Sequence, residues 1–322
     1  MRSLRVAVAG AGSFGRNHIR ILRDLPGVEL AGVVDPDAAK LADLDCPVFA
    51  GVAELSGSAD AAIVAVPTTA HADVGCALLE AGLDVLVEKP IAADLAGAQR
   101  LIQTAERTGR ILQIGHLEQF NPAVQALRRA ATIPLFFEIH RMSVFTPRSL
   151  DVDVVLDLMI HDIDILLSIT RALPEEIRAA GIRILSEKVD IANVRLAFEN
   201  GCVANLTASR VSTEKIRKLR LFQPEEYISL DYARQDIARI SVKGGEVGFD
   251  SLSVEQQEPL RLELQSFVEC VRNRTTPLVT GHDAMRALQV CLGILDKIEE
   301  HGAVVQRTVL SHQATANPSA SS

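Results

Sequence analysis

Short, almost continuously apolar runs separated by amphipathic stretches fill the first 115 residues. Runs at 4–9, 28–34, 61–66, 84–88 and 111–114 read as strands, and segments at 13–25, 37–44, 70–81 and 94–108 carry the wider spacing of helices. Strands without a polar face are buried on both sides, and their alternation with helices predicts a doubly wound parallel sheet, an α/β unit. Asp94 is placed to cap the helix that ends near Gly109.

Beyond Gly115 the pattern changes. A helix is expected from Pro122, a strand at 135–141 and a longer helix over about 151–169. Six strand-like stretches follow, near 176–186, 190–198, 202–209, 216–222, 226–232 and 238–243, with hairpin turns at Asn200-Gly201 and Lys243-Gly244-Gly245. Consecutive hairpins build an open, largely antiparallel sheet, so this half is expected to be α+β. Helices at about 258–273 and 281–300 close it. From His312 the polar, small-residue sequence reads as a disordered tail. The expected division is 1–118, 119–311 and a tail at 312–322, with no internal repeat.

Composition narrows the class of protein. The chain has 322 residues, enough for two domains, with 48% hydrophobic and 23% charged residues. Apolar runs are interrupted well short of a membrane span, and the N-terminus passes directly into the first strand, so a cytoplasmic protein without a signal peptide is expected. Five cysteines, at 46, 76, 202, 270 and 291, form no C-x-x-C pair and fit buried thiols rather than a zinc site or disulfide framework; no metal is expected. A net charge of −8 without a long basic block argues against nucleic acid as a partner.

Chemistry enters at Val6-Ala7-Val8-Ala9-Gly10-Ala11-Gly12-Ser13-Phe14-Gly15. Gly10 allows a tight turn out of the strand, Gly12 lets the backbone approach a pyrophosphate, and Gly15 brings the helix close to the sheet. The free N–H groups at the helix start, around Ser13 and Phe14, would hold the pyrophosphate. Twenty residues past Gly15 stands Asp35, at the end of the second apolar run. A carboxylate there accepts hydrogen bonds from ribose hydroxyls and repels a 2′-phosphate, and no Arg or Lys follows before Lys40, so NAD is expected over NADP.

Three further motifs accompany the fingerprint: Ala65-Val66-Pro67-Thr68-Thr69-Ala70-His71, Glu88-Lys89-Pro90, and Asp157-Leu158-Met159-Ile160-His161-Asp162-Ile163-Asp164. Ligands of open α/β sheets collect at the carboxyl ends of strands, where Pro67 and Lys89 fall. A lysine there can donate to a substrate hydroxyl and stabilise a developing alkoxide; its plain alternative is a solvated surface lysine. Asp157 and His161 share a helix face that Asp164 extends, a polar stripe on an apolar helix. His161 suits general acid/base work near neutral pH, with Asp157 orienting it or binding substrate; the plain alternative is an acidic helix start with a salt-bridged histidine.

Together these motifs resemble the glucose-fructose oxidoreductase, inositol dehydrogenase and MocA family of sugar dehydrogenases, over the chain to about residue 300. The resemblance implies hydride transfer from a sugar carbon to NAD. It implies cofactor contacts at Pro67, Thr68, His71, Glu88 and Lys89, catalysis by Lys89, His161 and Asp157, and pairing of subunits into a dimer or tetramer. Whether Lys89 or His161 removes the proton stays open, and His71 has an alternative role as a helix-capping or surface residue.

A narrower resemblance, carried by residues 115–122, 151–164, 205–210 and 227–232, is to family members that oxidise UDP-N-acetylglucosamine at C3. In that subgroup an aminotransferase takes the 3-keto product toward a 2,3-diamino sugar for lipid A. The same resemblance makes Glu118, Asn121, Arg148 and Arg210 substrate-binding candidates. A diphosphate needs positive charge, and Arg210, Lys215, Arg217, Lys218 and Arg220 are the densest basic stretch, with Arg141 and Arg148 ahead of it. Strand alternation places only some of them on one face. Alternatives are another UDP-sugar carrying a uronate, a free sugar or cyclitol, or a non-catalytic NAD(H)-responsive binding protein; the last would lack the acid/base groups.

Overall fold

Six strands, β1 (Leu4–Ala9), β2 (Val28–Val34), β3 (Val48–Phe49), β4 (Ala61–Val64), β5 (Asp84–Glu88) and β6 (Leu112–Gly115), pair in parallel in the order β3-β2-β1-β4-β5-β6. This computed structural model describes residues 2–146 and 152–316. The order reverses between β1 and β4, as in a doubly wound sheet, and opens a crevice at the strands' carboxyl ends. Helices α1 (Ser13–Arg23), α2 (His71–Glu80) and α3 (Leu95–Thr108) connect the strands. The two faces are filled by alternate residues of the same strands. Val6, Val8, Ile63 and Leu86 form one core with Ile19 and Leu22 of α1 and with Leu264 and Phe267 from later in the chain. Val87 turns to the other side, where Gly75 of α2 lies close to Leu101 of α3.

Two details depart from expectation. The run at 37–44 closes only a 3-10 turn, Ala38–Lys40: the Asp37 carboxylate accepts the Ala39 N–H at 3.1 Å, and Asp43, Asp45 and Pro47 follow too soon for an α-helix. Strand β3, two residues at the sheet edge, was too short to leave a periodic signal.

The second sheet follows α4 (Pro122–Ala130). Its strands are β7 (Phe136–Val144), β8 (Glu176–Ile182), β9 (Ile191–Ala197), β10 (Val203–Ser212), β11 (Ile216–Gln223), β12 (Glu226–Asp231), β13 (Asp236–Lys243) and β14 (Glu246–Leu252). They run in the order β14-β13-β12-β11-β7-β10-β9-β8, antiparallel throughout except for the parallel pair β7 and β10. One face is apolar and buried: Phe137 and Ile139, Val194 and Leu196, Leu206, Leu219 and Leu221, Ile228 and Leu230. The other is polar, with Arg220 donating to Glu138 at 2.7 Å and Asn193 donating to Thr207 at 3.0 Å. Strand β14 is exposed along nearly its whole length, including Phe249, so it lacks the alternation that reveals a half-buried strand.

The expected helix over 151–169 consists of a π turn, Val155–Met159, leading into α5 (Ile160–Thr170). Helices α6 (Pro259–Asn273) and α7 (Gly281–Ala316) complete the chain. Helix α7 runs through His312, where a tail was expected to begin, because neither Pro nor Gly interrupts 303–316; Pro318 lies just beyond. By internal contacts the chain forms two units, Met1–Gln125 with Glu255–Leu288, and Ala126–Val254 with Gln289–Ser322. The chain therefore returns to the first unit after the second sheet, which a single cut near residue 118 does not anticipate. Among the described residues no helix is long and apolar enough to cross a membrane.

Candidate active site

The glycine turn has the geometry its sequence demands. Gly10 has φ +103°, and a Cβ there would lie 2.4 Å from the Ala65 carbonyl oxygen; one on Gly15 would lie 1.8 Å from the Gly10 carbonyl oxygen. A Cβ on Gly12 would meet nothing within 4 Å, so the backbone is open on that side. Gly12 is the N-cap of α1, and among the described residues no side chain caps that end and no acid occupies its first turn. The N–H groups of the first turn, with the exposed Ser13 and Phe14 beside them, are thus available to an anion.

Asp35 sits one residue past β2 and is buried. Its carboxylate accepts the Ala11 N–H at 2.8 Å and the Asp37 N–H at 2.9 Å, each through a different oxygen. Each oxygen keeps a further lone pair, so the group is aimed by the main chain and can still accept ribose hydroxyls. Lys40 approaches Asp35 to 3.8 Å, a proximity that sequence spacing did not reveal. These groups fit a dinucleotide: a turn with room for a pyrophosphate, an uncapped helix start and an anchored acid.

At the neighbouring strand ends, Pro67 is exposed, Thr68 and Lys89 are half-buried, and the Lys89–Pro90 peptide bond is cis. His71 is buried, with Nδ1 2.8 Å from the Pro90 carbonyl oxygen and Nε2 3.0 Å from that of Val66. The ring thus lies between the Pro67 and Lys89 segments, donating to one of the two carbonyls at a time while it is neutral, and its burial excludes the surface position allowed for it. Burial pushes its pKa down although the two carbonyls pull the other way.

Alternation along β5 turns Glu88 to the side of Leu86, against α1. There its Oε1 lies 2.7 Å from His18 Nε2, and its Oε2 accepts the Lys89 N–H at 3.3 Å. Burial alone would raise the Glu88 pKa, but the His18 hydrogen bond and the charges of His18, Lys89 and His71 hold it below the usual carboxylate range. Glu88 is therefore a support behind Lys89. Glu118 and Asn121 are also buried, the Asn121 amide donating to Glu118 Oε2 at 3.2 Å while its oxygen accepts the Ala123 N–H at 3.1 Å. Asn121 thus caps α4.

In the second unit, Asp157 lies in the π turn and His161 in the first turn of α5, both half-buried. π turns recur at functional sites because the wider turn re-aims side chains. The lead-in is fixed from both sides: the Asp153 carboxylate accepts the Val189 N–H at 2.8 Å, and Val154 N–H donates to the Val189 carbonyl at 3.0 Å. Asp164 is buried.

The expected basic contacts are redistributed. Arg141 is 2% exposed and makes a bidentate pair with Asp162, through Nε at 2.8 Å and Nη2 at 2.7 Å, while its guanidinium lies 4.7 Å from the centre of the Tyr232 ring. Arg210 is buried too: its Nη2 donates to the carbonyls of Val152 and of Val189, the latter at 3.0 Å, and its Nε is 3.4 Å from Asp190. Alternation sends both side chains to the apolar face, where they brace the entry to the π turn and α5. Each guanidinium thus has partners within the second unit. Arg217 faces the same side as Arg141, opposite it in register, whereas Lys218 and Arg220 face the other. Arg148 lies outside the described residues.

A Rossmann sheet with this turn, acid and strand-end lysine defines an NAD-binding oxidoreductase. Sequence profiles agree: "Oxidoreductase family, NAD-binding Rossmann fold" matches residues 4–116 and "GFO/IDH/MocA C-terminal domain" matches 124–223. The chain belongs to the GFO/IDH/MocA oxidoreductase family, as its motifs suggested. UDP-N-acetylglucosamine 3-dehydrogenase of Acidithiobacillus ferrooxidans is 33% identical over 310 residues, 93% of this chain and 98% of that protein. Its solved structure has a TM-score of 0.87, covering 93% of this chain and 99% of that one. The NAD-dependent scyllo-inositol 2-dehydrogenase of Bacillus subtilis is 29% identical, covering 89% of this chain and 92% of that protein. A probable dehydrogenase from Thermotoga maritima, 23% identical with a TM-score of 0.79 over 92% of this chain and 97% of that one, shares the fold.

Proposed function

We propose that this chain is a cytoplasmic NAD-dependent dehydrogenase that oxidises UDP-N-acetylglucosamine to its 3-keto form. The observation that carries this reading is the 33% identity, nearly end to end, with a UDP-N-acetylglucosamine 3-dehydrogenase. When bound, NAD supplies the hydride acceptor. To Lys89, at the end of β5, we assign a hydrogen bond to the reacting hydroxyl and stabilisation of the alkoxide that forms as hydride leaves. To His161 we assign uptake of a proton near neutral pH, and to Asp157 orientation of that imidazole or of the sugar. Gly12, Ser13, Phe14 and Asp35 hold the dinucleotide. With Arg141 and Arg210 engaged internally, Lys215 and Lys218 of the basic stretch, together with Arg148, remain candidates for the substrate diphosphate.

The product, a 3-ketone beside a 2-acetamido group, suits transamination to a 2,3-diamino sugar of the kind used in lipid A. The exposed apolar side chains of β14, Val247 and Phe249, favour assembly into a dimer or tetramer, and a light-scattering mass near 34.8 kDa would refute it.

The decisive experiment follows NADH absorbance with UDP-N-acetylglucosamine, a UDP-uronate, free N-acetylglucosamine and inositols. UDP-N-acetylglucosamine should give the highest kcat/KM. The 29% identity with scyllo-inositol 2-dehydrogenase supports a second reading, a free-cyclitol dehydrogenase. Turnover of inositols with none of UDP-N-acetylglucosamine would replace the first reading by the second.

A further inference from the structure

Helix α1 carries on its buried face a titratable side chain that the proposed chemistry does not use. His18 is 0% exposed, and its Nε2 lies 2.7 Å from Oε1 of Glu88, the last residue of β5. The other oxygen of that carboxylate, Oε2, accepts the Lys89 N–H at 3.3 Å. Strand β6 leaves it room: Gly115 pairs with Glu88, and a Cβ there would lie 3.2 Å from Oε2 and 3.3 Å from the Glu88 Cα. Helix α1 and strand β6 thus close a slot around one carboxylate that also holds the main chain of Lys89. The Glu88 carboxylate is ionised and can only accept, so Nε2 carries the ring proton; Nδ1 has no hydrogen-bond partner among the described residues.

We propose that His18 is a positioning residue for Lys89: through the Glu88 carboxylate it fixes the end of β5 relative to the dinucleotide cradle on α1. The proposal rests on the catalytic reading of Lys89. Gly12, the N-cap of the same helix, lies about 9 Å along its axis from His18. The first two turns of α1 therefore offer open N–H groups to the pyrophosphate at one end and hold Glu88 at the other. That spacing matters for the reaction, because hydride transfer needs closely set atoms and a displacement of about 1 Å can cost about 10²-fold in rate. Without its histidine donor the buried carboxylate keeps only the longer bond to Lys89, an arrangement costly enough that the group must move toward another donor. Lys89, the next residue and the partner in that bond, moves with it.

The test uses the full chain. The amide of His18→Asn ends near the position of Nδ1, short of Glu88, whereas the amide of His18→Gln can reach the position of Nε2. Steady-state kinetics with the sugar that the absorbance assay selects is set beside calorimetric NADH affinity and melting temperature. His18→Asn should lower kcat by about 10–100-fold while NADH affinity and KM stay within a few-fold, and His18→Gln should restore kcat to within a few-fold of wild type. Because His18 acts through Lys89, adding His18→Asn to Lys89→Ala should cost no further turnover. A purely structural histidine moves the melting temperature and leaves kcat of the folded enzyme alone, so a near-wild-type kcat in His18→Asn would overturn the proposal. So would a loss that His18→Gln does not restore, or a full further loss in the double variant. Should His18→Asn not fold, Gly115→Ala presses on the same carboxylate from β6 and should lower kcat; an unchanged kcat there would also overturn the proposal. Failure of the underlying reading appears on a different variant, as turnover retained in Lys89→Ala alone.

Discussion

Both units bury charged side chains, but they use them differently. In the first, Asp35 is aimed by main-chain N–H groups and still has lone pairs to offer, and Lys89 stands at a strand end on a supported but half-buried backbone. In the second, Arg141 and Arg210 donate to Asp162 and to the carbonyls of Val152 and Val189 within the unit itself. A cation on a strand can thus serve a ligand or a helix, and strand alternation decides which. Positions 141 and 210 share a face with Ile139 and Ala208, so their charge goes to the core and braces the segment that carries Asp157 and His161.

The largest effect that sharpens this contrast is expected at Lys89. Lys89→Ala should lower kcat by about 10²–10⁴-fold, the range for loss of a positioned acid/base or oxyanion donor, with NADH affinity and melting temperature little changed. Steady-state kinetics beside calorimetric NADH binding measures both. Turnover within a few-fold of wild type would reduce Lys89 to a surface lysine.

Arg141 should behave in the opposite way. Arg141→Ala leaves the buried Asp162 carboxylate uncompensated, a change worth about 3–5 kcal/mol of stability. Arg220→Ala removes a half-exposed pair with Glu138 and should cost under about 1 kcal/mol. Urea unfolding of the two variants gives both figures. The contrast between the units breaks if Arg141→Ala keeps its stability and loses only substrate affinity.

Much of the first unit could be read from the chain because its signals are local. Glycine spacing, an acid after an apolar run and a lysine after the next are backbone requirements, and the structure meets them at Gly10, Gly15 and Asp35. What could not be read depends on partners distant in sequence. Glu88 meets His18 70 positions away, and Gln113 meets Glu263 150 away. The even spacing of Leu86 and Glu88 does carry a signal, since it puts the acid on a buried face and asks for a partner. The same alternation rule, applied to Phe137, Ile139 and Arg141, would have moved Arg141 from the substrate to the core. The burial of His71 was hidden for the same reason, since one of the two carbonyls its ring approaches, that of Pro90, lies 19 positions away.

Smaller than the effect at Arg141 is the one expected at Asp190, the other acid that steadies the entry to α5. It is fully buried and lies just before β9. Burial would push its pKa up, yet the N–H groups of Ile184, Leu185 and Ser186 and the Ser186 hydroxyl hold it at about 2. A folded pKa below the unfolded value contributes stability that is present above about pH 4 and lost as pH falls through about 2. Asp190→Asn should therefore cost about 2 kcal/mol at pH 7. Urea unfolding from pH 7 down to 3 should show the gap to wild type narrowing below pH 4. A gap that stayed constant over that range would mean that the carboxylate's charge adds nothing beyond its shape, and that Arg210 rather than Asp190 fixes this loop.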